Sequence, residues 1–233
     1  MNELFRIAID GPGGAGKSTI AKIIADKLNM TYVDTGAMYR AIAYKLKREI
    51  PEISDVNLDT VEGGKEYQLI ENIVGNTDID ISGEYIVIDN YKVGDEIRTP
   101  EISKLASGIS KLPVIRKYLG DIQRKIAATN NVVMDGRDIG TNIIKDAELK
   151  IYLTASPEVR ADRRVRQLAS QGKTVDYDET LKDITERDYQ DSNRELNPLV
   201  KASDAVILDT SDMDIEEVVS LIIEKAKERN KKV

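Results

Sequence analysis

The chain has 233 residues, of which 41% are hydrophobic and 32% charged, so it can bury a sizeable core and is typical of a globular protein. Its formal net charge of −7 argues against general binding to nucleic acid or acidic membranes and leaves local clusters of Arg and Lys as sites for anions. The absence of Cys, His and Trp excludes disulfides, thiol nucleophiles, zinc fingers and histidine bases, so any chemistry uses carboxylates, Lys, Arg, hydroxyls, backbone groups or a recruited cation.

A glycine-rich loop near the start of the chain is its strongest functional motif. The run Gly11–Ser18 fits the spacing G-x-x-x-x-G-K-[ST]. The apolar run Leu4–Ile9 before it predicts a buried strand, and apolar residues at helical spacing after it predict a helix that ends near Asn29. Strand, loop and helix therefore follow in the order that a phosphate-binding loop (P-loop) requires.

The residue types in this loop suit a polyphosphate ligand. Glycines let successive backbone N–H groups converge on one anion at the positive end of the following helix. Lys17 would place a charge between the outer phosphates, and the Ser18 hydroxyl would complete a Mg²⁺ shell made otherwise of phosphate oxygens and water. A plain glycine turn is the alternative, but such a turn requires neither the Lys-Ser pair nor the flanking order.

The next predicted strand, Thr31–Val33, leads into the polar and basic run Asp34–Arg40. Ligands bind at the carboxyl edge of a parallel sheet, where this run is expected to lie. The alternative is an ordinary turn into a helix with Thr35 as its N-cap, which is the favoured interpretation of Thr35 taken alone.

Residues 55–95 have a different sequence pattern from the rest of the chain. Thr77–Ile81 and Tyr85–Ile88 alternate like half-exposed antiparallel strands, with turns at Gly83–Glu84 and Asn90. We interpret the segment as an inserted small β unit. It is either a structural addition to the core fold, which the sequence slightly favours, or a segment that moves to close over the substrate.

Another apolar strand, 131–134, ends in charged residues. Asp135 falls where a P-loop protein keeps an acidic residue near the metal and its waters. Arg137 is suited to clamp a phosphate with two parallel hydrogen bonds, and Asp138 to accept an amino proton. A local Arg137–Asp138 ion pair is the alternative, and the presence of the P-loop favours the functional interpretation.

A later helix, opened by Ser156–Pro157 and ended by Gly172, is rich in arginine. Like charges at helical spacing repel one another, so such a concentration points to an anionic ligand. The arginines concerned are Arg160, Arg163, Arg164 and Arg166.

A second charged segment places Arg187, Asp191 and Arg194 at i, i+4 and i+7, which predicts that all three project from one helical face. A solvated face of salt bridges is the usual explanation of such a pattern. Nearby acidic residues such as Asp188 keep that alternative open.

With the runs 149–153 and 205–208, the apolar segments amount to five strands interleaved with amphipathic helices. This order predicts an α/β fold with three layers (α/β/α) around a five-stranded parallel sheet. The last helix has Asp214 as its expected N-cap with Glu217 three residues on, and the basic stretch Lys225–Lys232 is expected to fray. No apolar run is long enough to span a bilayer and the first residues lack a signal-peptide pattern, which predicts a cytoplasmic location.

Several of these motifs together resemble the bacterial cytidylate kinases over nearly the whole chain. The resemblance is carried by the runs Ile9–Thr19, Asp34–Arg40, Asp95–Glu101, Asp135–Thr141 and Arg187–Arg194. A P-loop alone indicates only a nucleotide binder, whereas this ordered set is highly specific. The chain departs from the family in the run Asn142–Asp146, where an apolar, proline-containing stretch is common, and the insert is its least family-like part.

The resemblance implies a nucleoside monophosphate kinase fold and the transfer of the ATP γ-phosphate to CMP or dCMP, with Mg²⁺ as cofactor. It implies a single domain over residues 1–233, with a core of 1–54 and 96–233, a lid at about 156–173 and the inserted β unit at about 55–95. The expected partners are small nucleotides, not nucleic acid or membrane, and the expected state is a monomer.

The same resemblance implies roles for individual residues. Those implied to bind ATP are Gly11, Pro12, Gly13, Gly14, Ala15, Gly16, Lys17, Ser18 and Thr19. Those implied to bind CMP are Thr35, Tyr39, Arg40, Ser107, Arg116, Arg137, Asp138, Arg187, Asp191 and Arg194. The expected catalytic residues are Lys17, Arg137, Arg160, Arg163 and Arg164, with Ser18 on the metal directly and Asp135 through water.

Cytosine recognition by Asp138 follows a simple chemical rule. Cytosine presents an amino donor beside two acceptors, which match an Asp acceptor next to an Arg donor, whereas uracil would set its O4 against the carboxylate. The sequence alone leaves two other functions open. They are another P-loop kinase with a small acceptor, and a nucleotide-dependent switch or regulatory binder, although the chain lacks the N-K-x-D guanine-reading motif.

Overall fold

Five short apolar strands form the central sheet of the computed structural model, which describes residues 4–58, 60–82, 85–170 and 172–229. The predicted turn at Gly83–Glu84 and the last residues of the basic stretch Lys225–Lys232 lie outside the described residues. Together with three strands of a second, smaller sheet (β3, β4 and β5), the strands in chain order are β1 (Arg6–Asp10), β2 (Thr31–Asp34), β3 (Ile79–Ser82), β4 (Tyr85–Ile88), β5 (Tyr91–Val93), β6 (Val132–Gly136), β7 (Leu149–Thr154) and β8 (Val206–Asp209).

The helices alternate with these strands along most of the chain. They are α1 (Lys17–Leu28), α2 (Thr35–Glu49), α3 (Lys65–Gly75), α4 (Pro100–Ile109), α5 (Pro113–Thr129), α6 (Pro157–Ser170), α7 (Tyr177–Asn193) and α8 (Ile215–Arg229). A short π turn, Ile139–Ile143, follows β6.

The larger sheet has the strand order β2-β6-β1-β7-β8, with β1 central and parallel to both of its neighbours. The register pairs Asp10 at the end of β1 with Gly136 of β6 and with Tyr152 of β7. The loops after β1 and β6 therefore leave the sheet at the same edge, which is where the P-loop begins. The predicted fold class, a P-loop α/β fold with a five-stranded parallel sheet and a separate small antiparallel sheet, is confirmed.

The core that supports this edge lies between the sheet and two helices, α1 and α8. Ile7 and Ile9 of β1 and Ile24 of α1 are completely buried in it. Burying a side chain of this size stabilises the fold by roughly 1.5–3 kcal/mol. The predicted capping box of α8 is confirmed, since Glu217 N donates to Asp214 Oδ1 and Asp214 N to Glu217 Oε2, both at 2.9 Å.

Two compact units make up the chain. The first comprises Met1–Tyr32 and Ala127–Val233, and the second comprises Val33–Ile126. The first unit contains the P-loop and the arginine-rich helices α6 and α7. The second contains α2, α3 and α4 and the antiparallel sheet β3-β4-β5.

The segment interpreted as a β insert contains both predicted strands but is more than a β unit. It also forms α3, in which Tyr67, Ile70, Ile73 and Val74 are buried at helical spacing, and a third strand, β5. Three residues are too few for β5 to show an alternation pattern. No helix within the described residues is long and apolar enough to cross a membrane.

Candidate active site

The P-loop of the first unit depends on glycine at three backbone positions. Gly14 and Gly16 have φ of 79° and 87°, in the left-handed region that other residues rarely adopt. Gly11 has φ of 150°, and a Cβ there would lie 1.9 Å from the carbonyl oxygen of Leu153 on the neighbouring strand. The loop can therefore curl tightly between β1 and α1 and present its backbone N–H groups at the start of the helix.

Lys17, the first residue of α1, folds back over this loop. Its Nζ donates to the Pro12 carbonyl oxygen at 2.7 Å, and only 6% of the residue is exposed. Burial lowers the pKa of Lys17 well below its ordinary value, and the charges of Arg137 and Arg187 act in the same direction. An anion at the loop would oppose both effects.

Two oxygen donors suited to a hard cation belong to the same unit. Ser18 is exposed in the first turn of α1, and Asp135 is buried at the end of β6, where it accepts from Tyr32 Oη at 3.0 Å. Asp135 also raises the pKa of Lys17, so the two charges act on each other. Within the described residues there is no group of three or more acidic side chains that could hold a metal alone.

Two predicted acceptor arginines approach the P-loop at Gly13. A Cβ built on Gly13 would lie 3.5 Å from Arg137 Nη2 and 3.9 Å from Arg187 Cδ. Arg137 comes from the loop after β6 and Arg187 from α7. The P-loop backbone and two guanidinium groups thus occupy one small region of the first unit.

Asp191 holds these guanidinium groups in place. Arg137 Nε donates to Asp191 Oδ2 at 2.8 Å, and Arg187 Nε and Arg194 Nη1 both lie 3.9 Å from its oxygens. Burial by itself would raise the pKa of Asp191, but the three arginines together lower it below its ordinary value. The carboxylate is therefore ionised at neutral pH. Arg194 follows the end of α7 as its C-cap, so the prediction that it projects from the helix itself is wrong, although its guanidinium still reaches Asp191.

Asp138 also faces the end of α7. Arg194 Nη2 donates to Asp138 Oδ1 at 3.2 Å, and Asn142 Nδ2 donates to Asp138 Oδ2 at 3.0 Å. Both Asp138 and the side chain of Arg194 are largely buried. The carboxylate is thus held in a fixed orientation by two donors.

Arg160 of α6 has its donors directed into the protein. Nε donates to the Ala155 carbonyl at 2.9 Å, Nη1 to the Gly13 carbonyl at 3.0 Å, and both Nη atoms donate to Asp188 of α7. The residue is 2% exposed. It ties the P-loop to α7 in this conformation.

The other arginines of α6 differ from one another. Arg163 donates to the hydroxyl of Thr210 at 3.0 Å and to its carbonyl at 2.5 Å, which fixes the turn after β8. Arg164 is half-buried and donates to Gln167 Oε1 at 3.0 Å, and Arg166 is exposed. Beside Arg160 an open cavity of about 380 Å³ extends along Pro12, Tyr152, Ser156 and Asp188.

In the second unit, Asp34 ends β2 and is the N-cap of α2. Its Oδ1 accepts the backbone N–H of Ala37 at 2.8 Å, so the interpretation of Thr35 as the N-cap is wrong by one residue. Asp34 Oδ2 also accepts from Arg40 Nη2 at 3.2 Å. The Nε atom of Arg40 is buried and has no hydrogen-bond partner among the described residues, which is an unusual and costly state for a donor.

The other predicted residues of the second unit are on α2, α4 and α5. Thr35 and Arg116 are buried, and Tyr39 and Ser107 are half-buried. Arg116 Nη1 donates to the carbonyl of Ser110 at 3.1 Å, so the end of α4 orients this guanidinium.

Three residues with clear structural roles at the site were not assigned one from the sequence: Asp10, Asp34 and Asp188. Asp10 and Asp34 each end a strand before a functional loop, which is a signal that the sequence does contain. Asp188 was taken only as a nearby acid, and its partnership with Arg160 joins two helices that are separate in the sequence.

Comparisons with known proteins show the family to which this chain is similar. The family model described as cytidylate kinase matches residues 7–228. The cytidylate kinase of Alkaliphilus oremlandii is 49% identical over 95% of this chain and 97% of its own, and that of Carboxydothermus hydrogenoformans is 47% identical over 94% and 96%. A solved structure of an uncharacterised protein from Eubacterium ventriosum has a TM-score of 0.50 at 14% identity, covering 97% of this chain and 99% of that one, which shows likeness of fold alone.

Proposed function

We propose that the P-loop of this chain and the arginines beside it, Arg137 and Arg187, transfer a phosphoryl group directly between two nucleotides. The chain belongs to the cytidylate kinase family, whose members transfer the phosphoryl group of ATP to CMP or dCMP. The strongest support is the approach of Arg137 and Arg187 to Gly13, since it brings the cations expected at the acceptor phosphate to the loop expected to hold the donor phosphates. Two anions can be brought end to end only where positive charge lies between them.

On the donor side, the proposed ATP contacts are the residues Gly11–Thr19. The backbone N–H groups of the loop surround the phosphates, and Lys17 leaves the Pro12 carbonyl to reach the outer ones. The cost of burying Lys17 supports this role, because a phosphate would add negative charge that offsets the burial and the nearby arginines.

The donor set near Lys17 fits Mg²⁺. Mg²⁺ in nucleotide sites is commonly held by one or two protein oxygens, with phosphate oxygens and water completing its shell. Ser18 is exposed and able to ligate directly, and we propose that Asp135 acts through water. When bound, the ion neutralises phosphate charge as it spreads toward the leaving group.

On the acceptor side, we propose that Arg137, Arg187, Asp191 and Arg194 of the first unit meet the phosphate and sugar of CMP, and that Asp138 accepts from the cytosine amino group. The orientation of Asp138 by Asn142 and Arg194 supports a recognition role, because a fixed carboxylate discriminates better than a mobile one. We also assign to CMP binding the second-unit residues Thr35, Tyr39, Arg40, Ser107 and Arg116. The buried Arg40 Nε–H without an acceptor supports this assignment.

For α6 we propose that its arginines stabilise the transferring group in different ways. Arg160 acts by holding the Gly13 carbonyl, Arg163 by fixing the turn at Thr210, and Arg164 by adding charge as the lid segment, about 156–173, closes.

The transfer needs no strong base. A phosphate oxygen of CMP is already ionised near neutral pH, so the protein aligns it with the γ-phosphorus and neutralises charge. The absence of histidine is therefore compatible with the reaction. We also propose that the protein acts as a monomer in the cytoplasm on free nucleotides, and its net charge of −7 favours such partners over nucleic acid.

A coupled assay of ADP release with ATP and Mg²⁺ tests the proposal across CMP, dCMP, UMP, AMP and GMP. We expect CMP and dCMP to be phosphorylated much faster than the other three. Comparable rates with a purine monophosphate would assign the chain another acceptor. ADP release that does not depend on any acceptor would instead indicate a nucleotide switch.

A further inference from the structure

Asp10 is a buried carboxylate that connects the strand before the P-loop with the loop after β6. It is the last residue of β1, and 4% of it is exposed. Its Oδ1 accepts the backbone N–H of Ile139 at 2.7 Å, and its Oδ2 accepts that of Gly140 at 2.8 Å. These two groups begin the π turn Ile139–Ile143 that follows Asp138.

The first N–H groups of any helical turn have no partner within the turn and need an acceptor. Asp138 stands at the position that normally supplies one, yet its side chain makes no capping hydrogen bond. Asp10 supplies both acceptors from another strand. The carboxylate of Asp138 is thereby not used to cap the turn, and it is held by Arg194 and Asn142 instead.

The surroundings of Asp10 leave little room for the turn to move. In the sheet register Asp10 is level with Gly136, two residues before Asp138. A Cβ on Gly140 would lie 3.1 Å from Lys150 Cδ and 3.4 Å from Asp10 Oδ2, so the turn is packed closely against both side chains. Lys150 is itself fixed by hydrogen bonds to the Lys145 carbonyl and to Asp204.

We propose that Asp10 is a positioning residue for the acceptor nucleotide: it caps the turn after β6 in place of Asp138 and so keeps Asp138 turned toward the base. Without Asp10, the unsatisfied N–H groups of Ile139 and Gly140 would recruit the carboxylate at the N-cap position, which belongs to Asp138 itself. Base recognition would then be lost while the P-loop stays intact. This inference rests on the proposed function, because it concerns the same CMP site.

The test compares Asp10→Asn with wild type and with Glu148→Gln. An amide at position 10 keeps the shape but directs an NH₂ group at one of the two N–H donors. Glu148 is the matched control, because its carboxylate accepts the backbone N–H of Arg6 at 2.7 Å and so secures the opposite end of the same strand.

In Asp10→Asn we expect the KM for CMP to rise roughly ten- to a hundredfold and the preference for CMP over UMP to fall, with the KM for ATP changing less than threefold. Glu148→Gln should leave all three quantities unchanged. An Asp10→Asn enzyme with the wild-type KM for CMP and the wild-type CMP:UMP ratio would overturn the inference, as would equal rises in both KM values. Wild-type enzyme that ignores CMP would instead overturn the proposed function.

Should Asp10→Asn fail to fold, amide hydrogen exchange of the wild-type protein supplies a second test. We expect the amides of Ile139 and Gly140 to exchange as slowly as those within β1, because both donate to a buried carboxylate. Exchange at the rate of an exposed turn would show that Asp10 does not cap it and would overturn the inference.

Discussion

The guanidinium of Arg160 binds the carboxylate of Asp188 through both terminal nitrogens, at 3.1 and 2.5 Å. The side chain of Arg160 is 3% exposed and that of Asp188 is 25% exposed, so the pair is buried on one side only. Since Arg160 also donates to the Gly13 carbonyl, the pair links the P-loop to α6 and α7. Both stability and catalysis are therefore expected to depend on it.

Asp188→Ala should leave the buried guanidinium of Arg160 without its charged partner. We expect the free energy of unfolding to fall by roughly 2–4 kcal/mol, less than for a fully enclosed pair because Asp188 is partly solvated. kcat should fall as well, because Asp188 no longer fixes the guanidinium that donates to the Gly13 carbonyl. Chemical denaturation and steady-state kinetics measure the two effects.

The double variant Arg160→Met/Asp188→Leu separates these effects. Replacing both charges by apolar side chains should restore most of the stability but not the activity. Full recovery of kcat in this variant would show that the pair has no part in arranging the P-loop.

Lys17→Met should reduce kcat at least about a thousandfold, because it removes the cation expected at the transferring phosphate. The free energy of unfolding should stay equal or rise, since burial already lowers the pKa of Lys17 and its charge is costly in the apo protein. Lys27→Met, in the last turn of the same helix, is the matched control and should keep full activity. Near-normal turnover by Lys17→Met would contradict the role given to Lys17.

Asp138→Ala should narrow the preference for CMP over UMP by about tenfold or more, because the cytosine amino group loses its acceptor. The readout is the ratio of kcat/KM values for the two nucleotides. Asn142→Ala removes one donor to Asp138 but leaves the carboxylate, so its ratio should stay closer to that of wild type. An unchanged ratio in Asp138→Ala would remove this residue from base recognition.

Asp10 should make stability depend on pH. Burial raises the pKa of Asp10 from 3.8 to about 6, despite the hydrogen bonds from Gly140 and Ile139 that lower it. A raised pKa in the folded state means that folding favours the protonated form of Asp10. The stabilisation that Asp10 gives to the fold is therefore complete below pH 3.8 and is lost as pH rises through about 6. The shift of the Asp10 pKa on folding corresponds to a loss of roughly 3 kcal/mol in the free energy of unfolding.

The measurement is the free energy of unfolding of wild type minus that of Asp10→Asn, followed by denaturation from pH 4 to 8. Subtraction removes the titration of all other groups. We expect the difference to decrease with rising pH up to about 6–7 and then to level off. A difference that is constant over this range, or that increases, would contradict the raised pKa.

Features that depend on short stretches of chain were predictable from the sequence. The strand before the P-loop, its glycines and the Asp214 capping box all follow from local spacing, and the structure has them within a residue or two. The error at Thr35 was also local, because Asp34 and Thr35 are both able to cap a helix and stand side by side.

Features that depend on distant pairings were not predictable. Asp10 bonds to residues 129 and 130 positions away, and nothing next to Asp10 in the sequence indicates that a turn so distant needs acceptors. Arg160 was expected to contact an anionic ligand because it lies in an arginine-rich helix. Whether such a guanidinium faces a ligand or a carboxylate of the protein is decided by the packing of α6 against α7, which the spacing of arginines does not reveal.

We propose above all that one site passes the γ-phosphoryl group from ATP to CMP without releasing it to water. Its most direct test is to supply ATP labelled at the γ-phosphorus together with Mg²⁺ and CMP, and to follow where the label goes. We predict that label appears in CDP in equal amount to the ADP formed. Label that accumulates in inorganic phosphate while CMP stays unchanged would contradict the account.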